Sequence, residues 1–195
     1  YAEAFKWFKL SADQGNAEAQ YMLGLQKAAR QDYAEAIKWF KLAADQGNVK
    51  AQLRLGFLYE DGDVVRQDYA EAFKWFKLAA DQGNAEAQYN VGALYINGDG
   101  VRQDDAERFK WFKLSADQGH PDAQLELGYL YLFGNGVRQD DAEAIKWFKL
   151  AADQGHPDAQ LRLGFLYFDG YFHGDGVGQD YAEAFKWFKL AADQG

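Results

Sequence analysis

Along residues 68–83 the apolar side chains recur with the period of an α-helix. Tyr69, Ala72, Phe73, Phe76 and Ala80 fall on one stripe, and Trp75 with Leu78 on a second. Two apolar faces on one helix imply contact both inside a helical hairpin and with a neighbouring unit. Asp68 and Glu71 form a capping-box pattern, in which the Asp oxygen accepts an early backbone N–H and the Glu reaches back. Gly83 supplies the left-handed residue that ends the helix. Near-copies of this segment surround Trp7, Trp39, Trp75, Trp111, Trp147 and Trp187, spaced by 32, 36, 36, 36 and 40 residues. The Asp-x-x-Glu pattern returns as Asp32/Glu35, Asp104/Glu107, Asp140/Glu143 and Asp180/Glu183.

A second helical pattern precedes each full copy. It starts at an asparagine such as Asn84 or at His120-Pro121, where proline has no N–H to lose. Ala87, Val91, Leu94 and Tyr95 make its single stripe. A glycine recurs in mid-helix as Gly24, Gly56, Gly92, Gly128 and Gly164. Glycine costs up to about 1 kcal/mol there, so the partner helix is expected to cross at close range. The connection between the two helices is glycine-rich, as in residues 97–104, with Val101 tucked under the turn.

The pattern predicts an all-α fold: a right-handed alpha-alpha superhelix, or solenoid, of tandem helical hairpins, since none buries both faces alone. It divides the chain into a leading half-unit, 1–15, and units 16–47, 48–83, 84–119, 120–155 and 156–195, giving eleven helices in a single repeat array. The chain begins at Tyr1, inside a repeat, and reads as a fragment of a longer one. Repeat arrays need polar end caps, so further repeats or self-association through uncapped ends are expected.

Two units are irregular. Unit 16–47 lacks four residues and both turn glycines in its connection. The expectation is a hairpin whose first helix is a turn short, with a tight connection at Gln26–Asp32; a fused helix from about Ala17 to Asp45 is the alternative. Unit 156–195 carries the duplication Tyr171-Phe172-His173-Gly174. It reads as a neutral loop extension or as an aromatic recognition tip in which Tyr171 and Phe172 touch a partner. Asp169, His173 and Asp175 match no EF-hand or zinc spacing.

The pattern A-E-A-x-K-W-F-K-x-A-A-D-Q-G, followed by A-Q-x-x-L-G-x-L-Y-x-x-G-x-G-V-x-Q-D, resembles the Sel-one-like repeat family, relatives of the tetratricopeptide repeats, over essentially the whole chain. The resemblance implies an adaptor or scaffold for protein complexes, and for bacterial members export or a periplasmic location. One branch of the family staples each hairpin with a cysteine pair; this chain has no cysteine.

Composition narrows the function further. At 48% hydrophobic and 17% aromatic residues the chain can fill a core, yet no apolar run reaches membrane-spanning length. With 30 acidic against 21 basic residues the formal charge is −9, which opposes nucleic-acid binding. Catalytic chemistry finds no foothold. His120 and His156 stand where Asn16, Asn48 and Asn84 stand in sibling units, and read as helix caps. The glycine-rich connections lack the Lys-Ser or Lys-Thr of a phosphate cradle. No enzyme activity, cofactor or metal is expected.

What varies between the copies is a row on the first helix of each unit. Lys50, Arg54, Phe57 and Asp61 correspond to Glu86, Asn90, Ala93 and Asn97, then to Asp122, Glu126, Tyr129 and Phe133, then to Asp158, Arg162, Phe165 and Asp169. Steps of four, three and four put each set on one helix face. In solenoids of this type that face lines the concave side. Arg54, Phe57, Asn90, Ala93, Glu126, Tyr129, Arg162 and Phe165 are therefore candidate contacts for a protein or peptide segment, with the aromatics and arginines as anchors. Drift at unconstrained exposed positions and a purely structural spacer remain the competing readings.

Overall fold

The structure, a computed structural model, describes residues 2–170 and 178–194. Among these residues there are eleven α-helices and no strand: α1 (Ala2–Asp13), α2 (Ala17–Ala29), α3 (Tyr33–Asp45), α4 (Val49–Asp61), α5 (Tyr69–Asp81), α6 (Ala85–Asn97), α7 (Asp105–Asp117), α8 (Pro121–Phe133), α9 (Asp141–Asp153), α10 (Pro157–Asp169) and α11 (Tyr181–Ala192). The fold is the all-α solenoid of tandem hairpins. The odd-numbered helices carry the Trp-Phe segment and the even-numbered ones the mid-helix glycine. The duplicated loop, with Tyr171, Phe172, His173 and Asp175, lies outside the described residues.

Contacts divide the chain into two compact units: Tyr1–Leu94 with Gly98–Arg102, and Tyr95–Asn97 with Gln103–Gly195. In the first, α1 meets α2, α2 meets α3, α3 meets α4 and α4 meets α5; in the second, α7 through α11 meet in the same consecutive way. The first unit has a core cluster of Ala36, Phe40, Ala43, Ala44, Ala51, Leu55 and Trp75. Trp75 thus reaches back onto α3, the neighbour contact expected of a second face. The second unit is centred on Ala144, Phe148, Leu163 and Trp187.

The even-numbered helices begin as their sequences imply. Asn16, Asn48 and Asn84 accept hydrogen bonds from the N–H groups of Ala19, Ala51 and Ala87 at 2.8–2.9 Å. His120 and His156 use Nδ1 in the same way on Ala123 and Ala159, at 3.4 Å. The odd-numbered helices correct the capping-box expectation. Asp68, Asp104 and Asp180 each accept two early N–H groups, and Asp140 one. The glutamates do not reach back, because the cap N–H is already donated: Asp68, Asp140 and Asp180 bond the carbonyls of Tyr59, Tyr131 and Tyr167 on the preceding helix. Glu71 and Glu107 instead accept from the indole N–H of Trp75 and Trp111, at 3.1 and 3.0 Å. Asp32 makes no cap bond and pairs with Lys27 Nζ at 3.2 Å.

Unit 16–47 is a hairpin with two separate helices. Its first helix is not shortened, however: α2 has 13 residues, like α4. The missing residues come out of the connection, which is Arg30–Asp32 here and Gly62–Asp68 in the next hairpin. Good helix formers carry α2 to full length, and Gln31 then takes φ 62°, the left-handed conformation that Gly62, Gly98, Gly134 and Gly170 adopt after the other even-numbered helices. The second stripe is also corrected. Trp75 is 4% exposed but Leu78 is 41% exposed, and Leu42, Leu114 and Leu150 are equally open.

Phenyl rings fill the glycine notches. A Cβ on Gly24, Gly128 or Gly164 would lie 2.5 Å from the ring of Phe40, Phe148 or Phe188, and one on Gly56 would be closer still to Phe76. The close approach expected at these positions is real, and side chains make it. A second device joins three helices at a time. The buried Gln52 Nε2 donates to Ala44 O at 3.0 Å, while its Oε1 accepts from Gln82 Nε2 at 2.7 Å. Gln20, Gln124 and Gln160 repeat this, donating to Ala12, Ala116 and Ala152 and accepting from Gln46, Gln154 and Gln194.

Candidate functional site

In the first unit, α4 carries Lys50, Arg54, Phe57 and Asp61 at its exposed side. Lys50 is tied to Glu18 on α2 at 2.9 Å, and Asn48 Nδ2 donates to the other Glu18 oxygen at 2.9 Å. These bonds hold the Glu18 carboxyl below its ordinary range, the one from Lys50 first. Arg54 is exposed and makes no ion pair among the described residues. Phe57 is half-buried and stands edge-on to Phe76, centroids 5.1 Å apart. The corresponding residues of α6 sit differently. Asn90 is buried at 8% exposure and its Nδ2 has no hydrogen-bond partner, while Ala93 is half-buried.

In the second unit, α8 and α10 bring three residues of the variable row, Tyr129, Phe133 and Arg162, into one patch. The Arg162 guanidinium lies 5.4 Å from the centroid of the Tyr129 ring. Tyr129 stacks almost parallel to Phe133, at 6.2 Å and 3°, and stands edge-on to Phe148 at 5.1 Å. Phe165 makes the same edge-on contact with Phe188 at 5.1 Å. Phe133 is 61% exposed and Phe165 47%. Glu126 is half-buried one turn before Tyr129. Burial, opposed by Arg108 and assisted by Asp122, pushes its carboxyl above the ordinary range. Burial also raises the Tyr129 phenol, against the pull of Arg162.

The three aromatics at this position share a packing role. Phe57, Tyr129 and Phe165 each cover the phenyl ring that fills the adjacent glycine notch; Phe57 and Tyr129 are half-buried, and Phe165 is exposed. Two features escape a stripe-based reading. Phe133 belongs to the variable row, but it gains weight only through its stacking on Tyr129. The glutamine bridges were visible only as recurrent Gln in A-Q and D-Q-G, a polar residue that an amphipathic pattern assigns to solvent. Among the described residues no three His, Asp or Glu side chains cluster in a way that could hold a metal ion. No helix there is long and apolar enough to cross a membrane.

With this arrangement in hand, the chain can be set beside known proteins. The Sel1 repeat model matches residues 1–16, 17–48, 49–84, 85–120, 121–156 and 157–195. The chain is similar to a protective antigen of uropathogenic Escherichia coli with an SLR fold, at 37% identity and TM-score 0.90, over 100% of this chain and 42% of that one. It is also similar to a Sel1 repeat protein from Oxalobacter formigenes, at 36% identity and TM-score 0.84, over 99% of this chain and 79% of that one. The cysteine rich protein B of Helicobacter pylori shares 25% identity over 63% of this chain and 93% of its own, at TM-score 0.50. This chain therefore spans less than half of the uropathogenic antigen and most of the Oxalobacter protein. A comparison with curated proteins finds no match. With six repeat matches running from end to end, the chain belongs to the Sel1 repeat family.

Proposed function

We propose that this chain is a protein-interaction scaffold that holds a protein or peptide segment on the exposed faces of its even-numbered helices, α4 in the first unit and α8 with α10 in the second. Proteins built from Sel1 repeats are generally interaction scaffolds. The observation that carries the reading is the patch of Arg162, Tyr129 and Phe133. It holds a guanidinium over a ring, and that ring against a second, outward-facing one. Arginine and aromatic residues dominate binding hot spots, because a rigid ring gives apolar contact at little entropic cost while the guanidinium reaches polar groups. Arg54 and Phe57 offer the same pair of residue types on α4. A rigid spacer needs no such patch.

The test is a titration of a purified partner, recovered with this chain as bait, against the wild type and an Arg162→Ala/Phe133→Ala variant. Both side chains project from helices whose cores they do not fill, so the circular dichroism should not change. Affinity is expected to fall at least tenfold, about 1.4 kcal/mol. Equal affinity would favour the spacer.

A further inference from the structure

In the connection from α4 to α5, a valine stands where the connections after α6 and α8 have glycine. In the connections after α6 and α8, Gly100 and Gly136 take φ 68° and 72° and press onto the start of the preceding odd-numbered helix. A Cβ on either would strike the backbone of Tyr69 or Asp105 well inside contact distance. Val64 holds the same place after α4. A left-handed valine is disfavoured by about 1–2 kcal/mol, and Val64 does not adopt that conformation. At this connection a cavity of about 270 Å³ lies between α2, α3, α4 and the connecting residues, with Tyr33 at the start of α3 and Val64 among its walls.

Ala36, Ile37, Phe40 and Phe57 give this cavity an apolar lining, and Arg54, Asp61 and Asp63 also face it. All three charged residues are exposed, so they stand at the mouth. Ligand sites for whole small molecules run from roughly 300 to 1,000 Å³; this one suits a single large side chain. We propose that the cavity is an anchor pocket for one aromatic residue of a partner segment, flanked in that segment by lysine or arginine. The aromatic ring would meet Ile37 and Phe57, while the flanking cations would meet Asp61 and Asp63. The neighbouring Glu60 responds to that negative field: burial first, then the charges of Asp61 and Asp99, hold its carboxyl above the ordinary range. Arg54, which makes no ion pair among the described residues, is available to donate to main-chain carbonyls of the segment. The proposal rests on the scaffold reading, because Arg54, Phe57 and Asp61 belong to the same exposed row of α4.

The experiment titrates the whole chain with acetyl-Gly-Lys-Phe-Lys-Gly-amide, followed by amide nuclear magnetic resonance. Saturable shifts are expected at Ile37, Phe57 and Val64. The Ala-centred and the Glu-flanked versions of the peptide should bind at least tenfold more weakly. Two variants close the pocket by independent routes: Ala28→Trp fills it from α2, and Val64→Gly lets the connection settle onto α3. Either, if folded, should abolish the shifts. Absence of shifts at Ile37 and Val64, or equal binding of the Ala-centred peptide, would overturn the pocket. If the pocket fails while Arg162→Ala/Phe133→Ala still weakens partner binding, the scaffold reading stands without it; if both fail, neither survives.

Discussion

A methyl group added to Gly56 would collide with the Phe76 ring, and Phe76 is wholly buried with nowhere to turn. Gly56→Ala should therefore destabilise the chain by about 1–3 kcal/mol, as overpacking does, read as a lower urea midpoint. In an open helix the same change would stabilise. The glutamine bridges make a second prediction at this scale. Gln52→Ala removes the bond to Ala44 O, which keeps the Gly47 N–H, and the bond from the exposed Gln82, at a cost of about 0.5–1.5 kcal/mol for each. Glu126 gives the third. Its carboxyl is raised in the folded state by burial, so its contribution to stability is full below the unfolded pKa and is lost as pH rises through the folded one. Glu126→Gln should thus gain stability at pH 7 relative to the wild type and lose that advantage in acid, where the wild-type carboxyl is protonated. A wild type that is the more stable at pH 7 would contradict this. The glycine positions were legible because glycine in a helix has a known cost that something must repay. What fills the notch was not legible, since an absent side chain does not say whether backbone or ring approaches.

The elements themselves were largely legible, because caps and stripes are local signals. Asn48, His120 and Asp68 start helices in the structure as their chemistry implies. The capping glutamates misled for a tertiary reason: the N–H they would satisfy is taken by a tyrosine carbonyl on the previous helix. The leucine of the second stripe misled because a helix pattern gives the face but not how far the neighbour extends over it, and Leu78 falls beyond that edge. A four-residue deletion is equally compatible with a lost turn of helix and a lost loop, and here the loop gave way. Its cost is concentrated at Gln31, a left-handed residue without glycine's freedom. Gln31→Gly should raise stability by about 0.5–1 kcal/mol, the relief of roughly 1–2 kcal/mol of backbone strain offset by a more flexible unfolded chain. A higher urea midpoint at unchanged slope is the expected result.

For the molecule as a whole, the repeats act as a ruler against which departures stand out. Most positions are fixed by packing that recurs in each hairpin: the phenyl in its notch, the glutamine bridge, the tryptophan on its neighbour. The departures are the varied row of the even-numbered helices and the valine after α4. Part of the row turned out to be structural. Phe57, Tyr129 and Phe165 shield the notch rings, which explains why large side chains suit that position, and Asn90 lies inside. The side chains left facing outward are Arg54, Phe133, Phe165 and the open edge of Arg162 over Tyr129. The odd-numbered helices expose their own apolar row of Leu42, Leu78, Leu114 and Leu150, which hardly differs from Phe165 in exposure. Sequence variation separates the two rows, because the leucines are invariant among the copies and the other row is not. Hydroxyl-radical footprinting of the chain, alone and bound to its partner, tests the account most directly. Protection of Phe133 and Phe165, with Leu42, Leu78 and Leu150 oxidised at unchanged rates, is the predicted result; protection of the leucines with Phe133 and Phe165 left open would contradict it.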